Sequence, residues 1–151
     1  MAQTDGAFEV RSYPQLAVVR TSSESDDGSF MRLFRYIGGA NATQEKISMT
    51  TPVFMEKGTM NFVLPDDKKA HPPKPTQDNV QLTTLPARRV ATYRFSGFTS
   101  RKSEATALAR LKTWLLSQKI SFRDEPTYAY YNSPFTLPHL RRNEVHLPLE
   151  P

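Results

Sequence analysis

Hydrophobic and polar positions follow the same order twice along the chain: a strand, a helix, then a pair of strands. In the first half, residues 8–21 contain a β-branched run that predicts a strand, and residues 30–39 have the apolar spacing of a helix. Positions i, i+3, i+4 and i+7 of this helix predict one inward-facing stripe, formed by Phe30, Leu33, Phe34 and Ile37. Ser29 can cap the start of the helix, and Gly38–Gly39 can end it.

Two further strands complete the first half. Residues 46–55 alternate, which places one set of side chains on a single strand face: Ile47, Met49, Thr51, Val53 and Met55. Residues 60–65 predict an antiparallel partner across a short turn around Gly58. We expect three of the alternating side chains to lie in the core, namely Met49, Val53 and Met55.

The second half follows a stretch rich in proline and charge, residues 66–79, which predicts an exposed connector. Residues 80–95 predict two strands separated at Pro86, and residues 104–120 predict a longer helix capped by Ser103. Four side chains of this helix are expected to face inward: Ala105, Leu108, Leu115 and Leu116. The last two strands are predicted over residues 127–132 and 143–149.

This order of elements predicts an α+β fold in which helices lie on antiparallel strands. We expect a distorted antiparallel β-barrel built from two pseudo-twofold repeats, each with one helix packed on the sheet. The repeats span about residues 8–65 and 80–149, joined by the connector 66–79, and together form a single domain over residues 1–151.

Composition limits the possible partners. The formal net charge of +5 favours anionic partners, but the basic residues are spread along the chain, so we do not expect nucleic-acid binding. No apolar run approaches the length of a membrane span, and the first residues do not form a signal peptide. We therefore expect a soluble protein, with the cytoplasm favoured and a bacterial periplasm open if a leader was removed.

Residue types make an enzyme the weaker interpretation. The chain has no cysteine nucleophile and no serine in a G-x-S-x-G motif. The three histidines, His71, His139 and His146, have no second ligand at metal-motif spacing, which argues against a zinc site. Binding remains as the favoured activity.

The segment YYNSPFTLPHLRRNEVHLPL (130–149) contains the most suggestive chemistry. An imidazole and two guanidiniums, those of His139, Arg141 and Arg142, lie beside apolar loop residues. Such a group could hold a flat, apolar, acidic ligand, or it could be an ordinary loop fixed to a core. On the first helix, Met31 and Arg35 are neighbours at i and i+4 outside the inward stripe, so they could contact the same kind of ligand.

Five short blocks follow one another along the chain: LFRYIGGAN, ISMTTPVFM, FVLP, VQLTTLPARRVATYRFSG and YNSPFTLPHLRRNEV. In order and spacing they resemble the SOUL haem-binding protein family, over roughly residues 8–149. The resemblance implies binding of haem or a related porphyrin in a shallow apolar groove between the first helix and the loop before the last strand. On this chain the implied contacts are Met31, Phe34, Arg35, Phe135, Leu137, His139, Leu140 and Arg141.

His139 departs from the family pattern, and neutral imidazole is a good ligand for haem iron, so His139 is a candidate iron ligand beside the alternative of an exposed loop histidine. Alternation with Val145 and Leu147 predicts that His146 points outward. Arg142 is assigned to loop structure, and Arg35 and Arg141 to ligand propionates.

The predicted function is that of a tetrapyrrole carrier, buffer or sensor. Two alternatives stay open: an enzyme that removes the metal from a tetrapyrrole, and an interaction module that uses the same groove for a peptide or another apolar molecule. Visible spectra distinguish them, because binding shifts the Soret band, metal removal erases the metal spectrum with time, and an interaction module does neither. The oligomeric state is open, with a monomer favoured.

Overall fold

The structure is a computed structural model that describes residues 3–22, 26–56, 58–132 and 136–151. In chain order the elements are β1 (Gln3–Asp5), β2 (Phe8–Tyr13), β3 (Leu16–Ser22), α1 (Asp26–Ile37), β4 (Val53–Glu56), β5 (Thr59–Val63), β6 (Val80–Leu85), β7 (Arg88–Phe95), α2 (Arg101–Ser117), β8 (Thr127–Tyr130), a 3-10 helix (Pro138–Leu140) and β9 (Asn143–Pro148). The chain divides into two compact units: unit 1 comprises residues 1–14 and 87–151, and unit 2 comprises residues 15–86.

Unit 1 is an antiparallel sheet with the strand order β1-β2-β7-β9-β8, and α2 packs on β7 and β9. Tyr93 on β7 pairs with both Phe8 on β2 and Val145 on β9, so these residues lie on the sheet face that meets the helix. The core on this face is apolar and includes Val10, Ala91, Leu111, Leu115, Val145 and Leu147.

Unit 2 is an antiparallel sheet with the strand order β4-β5-β3-β6, and α1 packs on β3 and β5. Its core includes Val19, Leu33, Tyr36, Ile37, Met60 and Phe62. The α+β class and the antiparallel pairing are therefore confirmed. The barrel is not, because no strand pairing among the described residues closes either sheet on itself.

Helix α1 begins earlier than predicted. Its first residue is Asp26, so Ser29 is a buried residue inside the helix and not its cap. The predicted end is confirmed: Gly38 N–H donates to the Phe34 carbonyl at 2.9 Å, and Gly39 adopts φ +122°, which favours glycine. Phe34 itself is 45% exposed, so its predicted place in the inward stripe is wrong.

The predicted strand over residues 46–55 is shorter in the structure and starts at Val53. Pro52 precedes it and has no N–H to donate to a strand ladder, which explains the late start. Val53 is buried as expected, and Ile47 is buried as well, but Met49 is 39% exposed and not in the core. Met55 is partly buried against the core of unit 2.

Helix α2 begins at Arg101, with Ser100 as its cap in place of the predicted Ser103. Ser103 is the other half of a capping box, since its hydroxyl accepts from the Ser100 N–H at 2.9 Å and Ser100 accepts from the Ser103 N–H at 3.1 Å. The buried stripe is Ala107, Leu111, Trp114 and Leu115. Ala105 is exposed and Leu116 is 70% exposed, so both inward assignments are wrong, while Leu108 packs against the core.

The connector 66–79 is mostly exposed, as predicted, but two hydrogen bonds attach it to the rest of unit 2. The Tyr36 hydroxyl donates to the Pro73 carbonyl at 2.6 Å, and the Ala42 N–H donates to the Lys74 carbonyl at 2.8 Å. Burial raises the pKa of Tyr36 to about 12, so this hydroxyl keeps its proton and remains a donor. In the described part of the chain, no helix combines the length and apolarity required to cross a membrane.

Candidate ligand-binding surfaces and a buried polar network

The loop before β9 holds Leu137 and Leu140 on a single tight turn. The Leu140 N–H donates to the Leu137 carbonyl at 3.0 Å, and the Arg141 N–H donates to the Pro138 carbonyl at 3.1 Å. Pro138 starts this 3-10 turn, a position where its missing N–H and fixed φ are suitable. Leu137 is 59% exposed and Leu140 is 60% exposed, so the turn presents apolar surface to solvent.

The Arg141 side chain is fixed beside this turn. Its Nε–H donates to the Thr136 carbonyl at 2.8 Å, and its Cζ lies 5.5 Å from the centroid of the Phe98 ring. Phe98 is 66% exposed. We call the group Phe98, Leu137, Leu140 and Arg141 the loop patch, which is an exposed apolar surface with a half-buried guanidinium.

Phe98 comes from a different loop, which one hydrogen bond connects to the loop before β9 and another connects to the first residue of β9. The Gly97 N–H donates to the Pro138 carbonyl at 3.0 Å, and Asn143 Nδ2 donates to the Gly97 carbonyl at 3.1 Å. Sequence reasoning missed Phe98. The signal that could have found it is an aromatic residue directly after a glycine in a polar loop, where no strand or helix pattern assigns it to a core.

In unit 2, the outer flank of α1 is a second exposed surface. Met31 is 37% exposed, Phe34 is 45% exposed, and Arg35 on the same flank is also exposed. Phe34 stacks on the buried Phe30 ring at 5.8 Å between centroids, which holds it against the helix. We call Met31, Phe34 and Arg35 the helix patch.

The predicted site residues therefore lie in both units. Unit 2 brings Met31, Phe34 and Arg35 together on α1, and unit 1 brings four others together in residues 137–141. His139 is exposed on the 3-10 turn of that second group. Phe135 lies outside the described residues. Four of the predicted side chains are among the exposed large hydrophobic residues, namely Met31, Phe34, Leu137 and Leu140.

A buried polar network lies on the sheet face of unit 1 opposite α2. At its centre is Glu144 on β9, whose side chain is 0% exposed. Its carboxylate accepts two bonds from Arg11 Nη1 and Nη2, at 2.7 and 2.8 Å. It also accepts from Arg142 Nη2 at 2.9 Å and from the Tyr131 hydroxyl at 3.1 Å. The bidentate pair with Arg11 joins β2 to β9 across the sheet.

Electrostatics keep Glu144 ionised. Burial alone would raise the pKa of Glu144, but hydrogen bonds from His146, Arg11 and Arg142 outweigh it and hold that pKa well below its ordinary value. Burial also raises the pKa of Tyr131, and the Glu144 charge adds to this, so the phenol stays protonated and donates. Sequence reasoning did not place Arg11 beside Glu144, because nothing local shows that a distant arginine reaches this carboxylate.

His146 is part of this network and does not point outward as predicted. Its side chain is 1% exposed, and Nε2 lies 2.9 Å from Glu144 Oε1. Burial lowers the pKa of His146 despite the opposing effect of Glu144, so the ring is neutral and Nε2–H donates to the carboxylate. The prediction failed because β9 is buried on both faces, and alternation then no longer separates inside from outside.

Arg142 has the structural contacts predicted for it. Besides its bond to Glu144, its guanidinium lies 4.2 Å from the centroid of the Tyr131 ring. The Arg142 backbone N–H donates to Asn132 Oδ1 at 2.6 Å, which fixes the loop before β9 at its C-terminal end. Arg141 and Arg142 thus face different surroundings although they are adjacent in sequence.

Comparison with known proteins gives a consistent result. The family model of the SOUL heme-binding protein matches residues 1–148. Heme-binding protein 2 of Homo sapiens is 32% identical over an alignment 160 residues long. The alignment covers 94% of this chain and 78% of that protein. Heme-binding protein 1 of Xenopus laevis is 26% identical over 161 residues, covering 95% of this chain and 84% of that protein.

Solved structures resemble the chain at lower identity. The C-terminal domain of EcmrR has a TM-score of 0.64 at 16% identity, covering 95% of this chain and 96% of that chain. A hydrolase from Listeria innocua has a TM-score of 0.64 at 10% identity, covering 95% of this chain and 91% of that chain. Likeness at these identities establishes the fold alone.

Proposed function

Because the chain belongs to the SOUL heme-binding protein family, we propose that it binds haem or a related tetrapyrrole as a carrier, buffer or sensor. The observation that supports this best is the loop patch. It combines exposed apolar side chains with a guanidinium that is already held in place, which suits a ligand with a broad apolar face and acidic edges.

The loop patch offers contacts of two kinds. Phe98, Leu137 and Leu140 would cover part of the apolar ring face, and their burial would supply most of the affinity. Arg141 would pair with a propionate carboxylate. Because Thr136 and Phe98 already hold the guanidinium, less side-chain entropy is lost when this pair forms.

His139 is the proposed iron ligand of unit 1. It is exposed on the same 3-10 turn as Leu140, and a neutral imidazole nitrogen can donate an electron pair to haem iron. Haem, when bound, supplies the iron and a Soret band that changes with its axial ligands. Phe135 is proposed as an apolar contact on the resemblance alone.

The helix patch of unit 2 is proposed as a binding surface on its own contacts. Met31 and Phe34 offer exposed apolar area, and Arg35 on the same flank offers a cation for a propionate. Its contribution is measured separately, by variants confined to α1.

For the fold, we also propose that residues 1–151 form one domain whose segments 8–65 and 80–149 are repeats of one unit. The common order supports this, since β3, α1, β4 and β5 are followed in the second half by β7, α2, β8 and β9. An experimental structure in which β3 to β5 fail to superpose on β7 to β9 would contradict the repeat.

The function is tested by titrating the protein with haemin and following the Soret band. We expect a dissociation constant of about 1 µM or tighter, which corresponds to about −8 kcal/mol. Leu140→Asp should weaken binding at least about tenfold, because a carboxylate replaces apolar surface next to the ring and repels propionates. Leu116→Asp is the matched control, since Leu116 is 70% exposed, against 60% for Leu140, but lies on α2.

Equal dissociation constants for the two aspartate variants would contradict a haem surface at the loop patch. A haemin spectrum that decays with time to that of metal-free porphyrin would indicate metal removal in place of binding.

For His139→Ala, we expect a shifted Soret band and weaker haemin binding, with little change for metal-free porphyrin. An unchanged haemin spectrum in that variant would remove His139 from the site.

A further inference from the structure

A groove runs along α2 in unit 1, between the helix and strands β2 and β7. It consists of two adjoining hollows of about 980 and 670 Å³, the first within the usual range for small-ligand sites. The groove is open because the helix presents small side chains to it, among them Ala109. None of the described residues that line it belongs to the loop patch.

Aromatic rings form the floor and one end of the groove. The Phe8 ring is parallel to Trp114, at 5.1 Å between centroids and 6° between planes, and it contacts Tyr93 at 4.8 Å. Trp114 is fixed because its Nε1–H donates to Asp5 Oδ2 at 2.8 Å. Phe8 and Tyr93 are only half-buried, so a planar ligand can stack against them without displacing core residues.

The charge of the groove has one sign. Lys102 and Arg110 line both hollows from α2. No acidic side chain lines either hollow in the part of the chain that the structure describes. Glu104, the acid in the first turn of α2, instead accepts a hydrogen bond from the Tyr130 hydroxyl.

We propose that this groove binds a small planar aromatic carboxylate, as a site additional to the loop patch. The ring would stack on the Phe8–Tyr93 floor, and the carboxylate would meet Lys102 or Arg110. A nucleic acid strand fits less well, since phosphates at regular spacing call for a longer track of cations than the groove offers.

The test uses 2-naphthoate as the probe and the neutral 2-naphthamide as its matched partner. Two-dimensional amide NMR of the full chain should show saturable shifts at α2, Phe8 and Tyr93. The indole signal is assigned without ambiguity, because Trp114 is the single tryptophan of the chain, and it should shift with them. Naphthoate should bind at least about threefold more tightly than the amide, because only the acid gains from the cations.

Two variants test the two halves of the proposal. Ala109→Leu fills the groove from an exposed helix position, where leucine is also a good helix former, and should abolish the shifts without unfolding the protein. Arg110→Ala should reduce the preference for naphthoate over naphthamide. Its control is Arg101→Ala, which removes the same charge from an exposed residue of α2 that does not line the groove.

Four outcomes would overturn the proposal. The first is equal affinity for naphthoate and naphthamide, and the second is saturable binding that persists in a folded Ala109→Leu variant. The third is a thymidine oligonucleotide that shifts the same amides at lower concentration than naphthoate. A haemin affinity unchanged by Ala109→Leu is expected, and its loss in that variant would contradict a separate site.

Discussion

Glu144 Oε1 lies 2.9 Å from His146 Nε2, and both side chains are excluded from solvent, at 0% and 1% exposure. The two residues alternate with Val145 on the same strand, yet all three are buried. An ionised carboxylate beside a neutral imidazole is stable here because Arg11 and Arg142 supply the positive charge. The protonation of this pair therefore determines how stability depends on pH.

The first prediction is a loss of stability in two steps as the pH falls. The pKa of His146 is lowered from its ordinary value of 6.5. Below that pH the unfolded state binds a proton at His146 that the folded state does not bind, so the free energy of unfolding falls. The pKa of Glu144 is lowered from 4.5, so a second loss begins below that pH. Each group contributes at most about 1.4 kcal/mol per pH unit to the free energy of unfolding, measured by urea titration at each pH.

His146→Gln isolates the first step, because an amide can still donate to Glu144 but does not titrate. The variant should have a flatter pH dependence between 6.5 and 4.5 than the parent. His71→Gln is the control, since His71 is exposed in the connector and should leave the profile unchanged. A parent profile that rises on acidification in this window would show that the assigned direction of the His146 shift is wrong.

The second prediction concerns the two arginines that contact Glu144. Arg11→Met should lower the free energy of unfolding by about 3 kcal/mol or more, because it removes a bidentate partner from a fully buried carboxylate. Arg142→Met should lower it by about 1 kcal/mol or less, since the Arg142 side chain is 45% exposed. Urea unfolding followed by circular dichroism measures both, and equal losses would contradict this ranking.

The third prediction tests the proposed role of Arg35 and Arg141. Arg35→Ala and Arg141→Ala, made as separate variants, should each weaken haemin by roughly fivefold, because each removes one charge-assisted bond to a propionate at its own surface. Iron octaethylporphyrin has no propionates and should lose much less affinity. Arg101→Ala serves as the charge control in the same absorbance titration, and equal losses for the two ligands would refute the propionate role.

The fourth prediction distinguishes two adjacent leucines of α2. Leu115 is 0% exposed within the core of unit 1, so Leu115→Ala should lower the free energy of unfolding by about 2 to 5 kcal/mol. Leu116 is 70% exposed, and Leu116→Ala should change it by about 0.5 kcal/mol or less. Thermal or urea unfolding of the two variants checks the orientation of the helix, and a larger loss at Leu116 would contradict it.

Local pattern was sufficient for most elements of the fold. Strands β5 to β9 and the glycine end of α1 follow from alternation, proline positions and capping residues, all of which act over a few neighbours. The face of each helix that packs on its sheet was harder to predict from the sequence. Phe34 and Leu116 both fit an apolar stripe in the sequence, but the position of the sheet under each helix selects a stripe that excludes them.

The candidate site residues likewise divide into those that are adjacent in sequence and those that only the fold brings together. Leu137, Leu140 and His139 were predicted as site residues because their apolar and basic neighbours are adjacent in the chain. Phe98 was missed because a hydrogen bond between two distant loops brings it to Arg141. The Glu144 network was missed for the same reason, since its main partner Arg11 is separated from it by 133 positions.

The separation of β2 from β9 along the sequence has a consequence for the synthesis of the chain. Unit 1 is assembled from residues 1–14 and 87–151, so all of residues 15–86 leave the ribosome before β2 can meet β7. At about 5 to 20 residues per second, β9 follows β2 by a time on the order of ten seconds, whereas hairpins form in microseconds. Strand β2 can pair with β1 at once, but its other edge stays without β7 while residues 15–86 acquire their own sheet partners, so this edge is the one that a chaperone has the longest time to hold.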